Sequence, residues 1–154
     1  MLTKTILIAA CAVAAIAAPV HAGDVAAGEK TYAKCKACHS IIAADETAIV
    51  KGGKVGPNLF GVIGRPVGSY PGFKYGDGIL AAGAKGLVWD EAMIADYVKD
   101  PTKWLDANSG DPKAKSKMSF QLAQGGEDVA AYLASVAPPP AAAPAATEAA
   151  PANP

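Results

Sequence analysis

The sequence predicts an all-α domain: three main helices, joined by short helices and Ω-like loops that wrap one covalently bound group. Three observations predict it. Apolar residues recur at helical spacing in three separate stretches, after Asp24, after Asp90 and from Glu127 to Val136. Between them, glycines and prolines interrupt apolar residues too often for a helix, so those stretches stay ordered only by wrapping something apolar. Near the start stands Cys35-Lys36-Ala37-Cys38-His39, two thiols three positions apart with a histidine directly after them.

That pentad is the covalent attachment pattern of a c-type haem. Each thiol adds across one of the two vinyl groups of a porphyrin, and the adjacent imidazole is then held under the iron as an axial ligand. Other uses fit less well. A zinc site needs about four ligands, and Cys35, Cys38 and His39 supply three; the other histidine, His21, leaves with the leader described below. A thioredoxin-like dithiol wants a strand entering the motif, whereas the residues before Cys35 read as helix. The cofactor expected is therefore a single haem c, bound through Cys35 and Cys38.

The chain has 154 residues, enough for one ordinary domain once its ends are removed. Much of its apolar content is alanine in those ends, and a core this sparse gains from a large flat cofactor. Its 14 basic and 14 acidic residues balance, which argues against a general nucleic-acid binder.

In chain order, residues 1–22 open with Lys4, run through an Ala-rich apolar stretch and close on Val20-His21-Ala22, the pattern of a secretory signal peptide. Cys11 belongs to it. Asp24 can cap a helix running to about Lys36. Gly28 inside it costs about 1 kcal/mol relative to alanine and is expected where another backbone comes close. The expected partner is the helix Glu127 to Val136, whose Val129, Tyr132, Leu133 and Val136 form an apolar stripe. Residues 41–54 carry no strong period and end in Gly52-Gly53, so they read as loop. Residues 55–66 form the main Ω-like excursion, and 69–75 continue in that style with Pro71-Gly72 as a turn.

A short helix follows Asp77 and ends near Gly83. Asp90 caps the next helix, which buries Met93, Ile94, Tyr97 and Val98 and is stopped by Pro101. Thr102 to Leu105 adds one more turn. Residues 108–117 are polar and lead without helical pattern into Met118-Ser119-Phe120. After Ala137, residues 138–154 are a Pro/Ala-rich tail unable to bury a core. The domain is thus expected to span 23–137.

An iron with one histidine still lacks a sixth ligand, and that ligand decides between electron transfer and peroxide chemistry. Met1 leaves with the leader and Met93 lies on a buried helical stripe, where methionine usually packs. Met118 stands in an irregular polar segment, far enough from His39 to approach the other face of the haem. His39 and Met118 are the expected metal ligands.

These residues resemble the class I c-type cytochromes, most closely the bacterial cytochromes c2 and c550 of alphaproteobacterial type. The resemblance covers about residues 23–137. It rests on Gly28, Tyr32 and Tyr132, on Cys35 to His39, Gly56-Pro57-Asn58-Leu59, Gly86-Leu87-Val88-Trp89, Tyr97, Pro101 and Lys117-Met118. It implies the cytochrome c fold around one covalent haem. It also implies that the Pro57 carbonyl accepts the Nδ1 proton of His39, that Arg65, Tyr75 and Trp89 donate to the haem propionates, and that Tyr97 lies near the Met118 sulfur. Ser116 stands where the family often has threonine, which keeps a hydroxyl there.

His/Met ligation fills both axial sites and favours the reduced iron, so the expected function is a soluble one-electron carrier in the periplasm and not an enzyme. A haem peroxidase would need a displaceable sixth ligand. Lys34, Lys36, Lys51, Lys54, Lys115 and Lys117 fall near segments that should border the haem. Asp90, Glu91, Asp96, Glu127 and Asp128 fall on helices away from it, so a neutral chain is dipolar and a lysine ring steers fast, salt-sensitive encounters. The resemblance implies a cytochrome bc1 complex as donor and a photosynthetic reaction centre or terminal oxidase as acceptor. The carrier is expected to act as a monomer.

Overall fold

The computed structural model describes residues 23–137. The expected leader and tail lie outside them. Five helices carry the chain: α1 (Val25–Tyr32), α2 (Asp77–Ala84), α3 (Glu91–Lys99), α4 (Pro101–Asn108) and α5 (Gly126–Val136). Among the described residues no helix is long and apolar enough to cross a membrane.

Helices α1, α3 and α5 form the frame. Asp24 caps α1 by accepting the Ala27 N–H at 2.9 Å, which satisfies one of the donors a helix start leaves free. Gly28 sits where α1 crosses α5, as its sequence context predicts. A Cβ there would lie 1.9 Å from the Asp128 carbonyl oxygen, so the two backbones touch. One turn on, the rings of Tyr32 and Tyr132 meet at 5.7 Å between centroids. Asp128 ties the crossing from the other side, accepting the Asp24 N–H at 2.9 Å. At the start of α5, Gly126 lies against the Ala95 backbone, which sets α5 on α3 as well.

Three elements differ from the sequence expectations. Helix α1 ends at Tyr32 and not near Lys36, because the chain tightens into turns: Cys35 N–H donates to the Tyr32 carbonyl at 2.8 Å and His39 N–H to the Cys35 carbonyl at 3.0 Å. Residues 41–54 are not all loop. They hold a small hairpin, β1 (Ile41–Ile42) antiparallel to β2 (Ala48–Val50), with Ile41 opposite Val50. The two strands are too short to show a period, and Ile42 is fixed from outside, its N–H and C=O both bonded to the Asn58 side chain at 2.9 and 2.7 Å. Finally, α4 runs for eight residues rather than one turn. Pro101 stops α3 but also begins α4, as proline at a first helical position does, and Asp100 caps the new helix through the Lys103 N–H at 3.0 Å.

The segment leading to Trp89 pairs back on the loop before it. Gly64 N–H donates to the Trp89 carbonyl at 2.7 Å, and Trp89 N–H donates to the Arg65 carbonyl at 2.9 Å. This places Arg65 and Trp89 on one wall. Buried Val62, Ile79, Ile94, Val129 and Leu133 complete a core that is open on one side, where the cavity lies.

Candidate haem cavity

One cavity of about 310 Å³ is bounded by the pentad, the 55–66 loop, α3, α5 and the segment around Met118. Cys35, Cys38, His39, Pro57, Arg65, Tyr75, Trp89, Tyr97 and Met118 all line it, so every site residue expected from sequence converges on one space. Its size suits a prosthetic group or a large flat ligand, and the apolar share of its wall comes from Leu59, Val62, Ile79, Ile94, Val129 and Leu133.

His39 is fixed on one side. Its Nδ1 lies 2.8 Å from the Pro57 carbonyl oxygen. A carbonyl only accepts, so Nδ1 carries the proton and Nε2 is left with its lone pair for a metal. The ring lies flat against Gly56, where a Cβ would come within 2.2 Å of it. Burial pushes the His39 pKa below the ordinary histidine value, against the smaller opposing pull of the Pro57 bond, which favours the neutral imidazole a metal needs. Cys35 is half-buried, and burial raises its thiol to about 11, while Cys38 is exposed at the rim.

Met118 lines the same cavity from a segment without regular structure. Its N–H donates to Ser116 Oγ at 3.1 Å, and that hydroxyl is paired with the Tyr97 hydroxyl at 3.2 Å. Tyr97 thus meets the Met118 segment through Ser116. Burial raises the Tyr97 phenol, so it stays protonated. Lys117 reaches across the mouth, its Nζ donating to the Lys74 and Tyr75 carbonyls at 3.3 and 3.2 Å. It ties the Met118 segment to the 69–75 loop.

Arg65 faces the cavity with neutral partners. Its guanidinium donates to the Asn58 carbonyl at 3.0 Å and to the Phe60 carbonyl, and lies 5.0 Å above the Tyr70 ring. Burial lowers its pKa, the sign of a cation short of solvent. Carbonyls and a ring orient such a charge but do not neutralise it, so the wall favours an anionic substituent. The Tyr75 hydroxyl accepts the Tyr70 N–H at 3.3 Å, which leaves its own proton free to donate.

The donor set therefore fits a haem: two thiols, an imidazole with a bare Nε2, a thioether, apolar walls and an unneutralised cation around one cavity. Sequence reasoning undervalued Asn58, which holds Ile42 at both backbone groups and also accepts the Phe60 N–H at 3.1 Å. An asparagine before a glycine-punctuated loop was the available signal. Of the six lysines, Lys34, Lys115 and Lys117 line the cavity; Lys36, Lys51 and Lys54 are exposed without lining it. Asp90 and Asp96 border a separate groove between α3 and α4.

No family model matches the chain. Known proteins do. The chain is similar to cytochrome c2 of Rhodobacter capsulatus, 63% identical over 121 residues that span 79% of this chain and 88% of the relative. It is 52% identical over 126 residues to cytochrome c-550 of Paracoccus versutus, spanning 80% of this chain and 82% of the relative. The solved structure of the Rhodobacter capsulatus cytochrome c2 superposes with a TM-score of 0.73, covering 74% of this chain and 98% of that one.

Proposed function

Since the chain belongs to the cytochrome c2/c550 family of class I c-type cytochromes, we propose that it is a soluble, periplasmic one-electron carrier. Cys35 and Cys38 would hold one haem c covalently, and His39 and Met118 would ligate its iron. The observation that carries this reading is the convergence of these four side chains on one cavity, with the His39 proton already committed to Pro57.

The haem supplies an iron that changes by one electron. The chain does the rest. His39 is locked in tautomer and orientation by the Pro57 carbonyl, which also raises its basicity as a ligand. With a haem bound, the Met118 thioether would favour the reduced metal and, with His39, would exclude substrates from the iron, which is why the protein would act as a carrier and not an enzyme. Arg65, Tyr75 and Trp89 would donate to the propionates. The apolar walls keep water out. The Ser116 hydroxyl, paired with that of Tyr97, holds the Met118 N–H.

Lys34, Lys115 and Lys117 line the cavity, and with the exposed Lys36, Lys51 and Lys54 they would steer docking on acidic partners: a cytochrome bc1 complex as donor and a reaction centre or terminal oxidase as acceptor. Residues 1–22 direct export and are removed, and 138–154 form an extension beyond the carrier domain at 23–137. The test is spectroscopic. The protein exported with its cofactor gives a pyridine haemochrome spectrum with the haem retained after acid-acetone extraction, and the ferric form shows the weak near-infrared methionine band, absent in Met118→Ala. An extractable haem, or a band that survives Met118→Ala, overturns the reading.

A further inference from the structure

Trp104 lies outside the cavity, yet it touches two of its walls. Its ring centroid is 5.1 Å from that of Trp89 and 5.4 Å from that of Tyr97, and those two rings are 5.2 Å from each other. The three rings are mutually packed, so each backs the other two. Trp104 is 8% exposed and stands on α4, the helix whose length the sequence under-reported. The same helix makes a second contact, Thr102 Oγ1 accepting the Ser116 N–H at 3.4 Å.

Both contacts end on one residue. Ser116 is held at its backbone by Thr102 and at its hydroxyl by Tyr97, whose ring Trp104 backs edge-on at 89°. The Ser116 hydroxyl in turn holds the Met118 N–H. Apart from the Lys117 side chain, which donates to the Lys74 and Tyr75 carbonyls, the segment is anchored through its backbone at Ala114 and at Leu122, on either side of it.

We propose that α4 is the clamp of the Met118 segment, with Trp104 and Thr102 as positioning residues that set how readily the methionine leaves the cavity centre. The clamp rests on the reading of Met118 as ligand. It acts without touching the ligand, so its loss appears as easier displacement of Met118 and not as loss of the group on Cys35 and Cys38. An edge-to-face ring contact contributes enough to change an equilibrium by about tenfold, and the long Thr102 bond less.

The experiment titrates the ferric protein, carrying its cofactor, with imidazole, which competes with methionine for a metal site. Trp104→Leu binds imidazole about tenfold more tightly than wild type and loses its near-infrared methionine band at lower pH; Thr102→Val shifts affinity about two- to threefold. Trp104→Phe keeps a ring against Tyr97 and stays within about twofold. Val67→Ala, a core truncation at a residue 4% exposed that neither lines the cavity nor lies on the Met118 segment, is the stability control and leaves imidazole affinity unchanged. The proposal is overturned if Trp104→Leu binds imidazole as wild type does, or if Val67→Ala shifts affinity as far as Trp104→Leu. A methionine band that survives Met118→Ala removes the ligand reading itself; a band lost there beside an unchanged Trp104→Leu removes only the clamp.

Discussion

The helical frame and the cavity walls are held by different means. Where α1 crosses α5, the joint is made by absence: Gly28 has no side chain, and the Asp128 carbonyl occupies the place one would need. Around the cavity, by contrast, the chain has few backbone ladders and is held by individual side chains. Asn58 grips three backbone groups, Arg65 two carbonyls and Lys117 two more. A helix stabilises itself turn by turn, so its joints tolerate no intrusion. A wall made of loops depends on a few polar residues, so its failures should be local.

The sharpest break in the frame is Gly28→Val. A Cβ 1.9 Å from backbone forces the helices apart, and the variant is expected to lose more than about 3 kcal/mol of stability or fail to fold, read by denaturant unfolding of the protein carrying its cofactor. If it lost under 1 kcal/mol, the crossing would not be a rigid joint. Next comes the wall. Asn58→Ala removes three hydrogen bonds to partly buried backbone and should cost about 2–4 kcal/mol. Its loss should appear first as proteolysis within 41–66, while far-UV circular dichroism stays near wild type. A smaller effect is expected at the mouth. Lys117→Gln gives up a charged donor to two carbonyls, worth about 1 kcal/mol given its exposure, and should raise imidazole affinity for the ferric protein a few-fold.

The same contrast explains what the sequence could say. The frame was legible because helix signals are local: Asp24 and Asp90 cap where they should, and Gly28 announced a crossing by being out of place in a helix. The site was legible for a different reason, since two thiols and a histidine at fixed spacing name a chemistry before any fold exists. The hairpin at 41–50 was missed because two-residue strands have no period and their partner, Asn58, lies downstream. Helix α4 was cut short because Pro101 reads equally as a stop and as a start, and only the Asp100 cap decides between them. Trp104 was passed over because its role exists only in the triangle of rings, which no spacing reveals.

Tyr32 tests the frame most finely. Its ring packs on Tyr132 and is 1% exposed, but its hydroxyl is buried with no hydrogen-bond partner among the described residues. A phenylalanine would fill the same space without stranding that group. Tyr32→Phe should therefore be neutral or stabilising by up to about 1 kcal/mol at pH 7, whereas a cavity-wall phenol such as Tyr97, bonded to Ser116, should lose stability on the same change. Alkaline pH separates the two explanations of any gain. Burial raises the Tyr32 phenol far above its ordinary value. A raised folded-state value means that stability is intact below the unfolded phenol's pKa of about 10 and falls as pH rises past it, because only the unfolded chain gives up that proton. Without the phenol this decline is absent. The gap between Tyr32→Phe and wild type should widen by about 1.4 kcal/mol per pH unit above pH 10, followed by chemical unfolding at fixed pH. A gap that stays constant would mean that the hydroxyl finds a partner or water once the cofactor is in place, and that the crossing of α1 and α5 is less dry than it stands here.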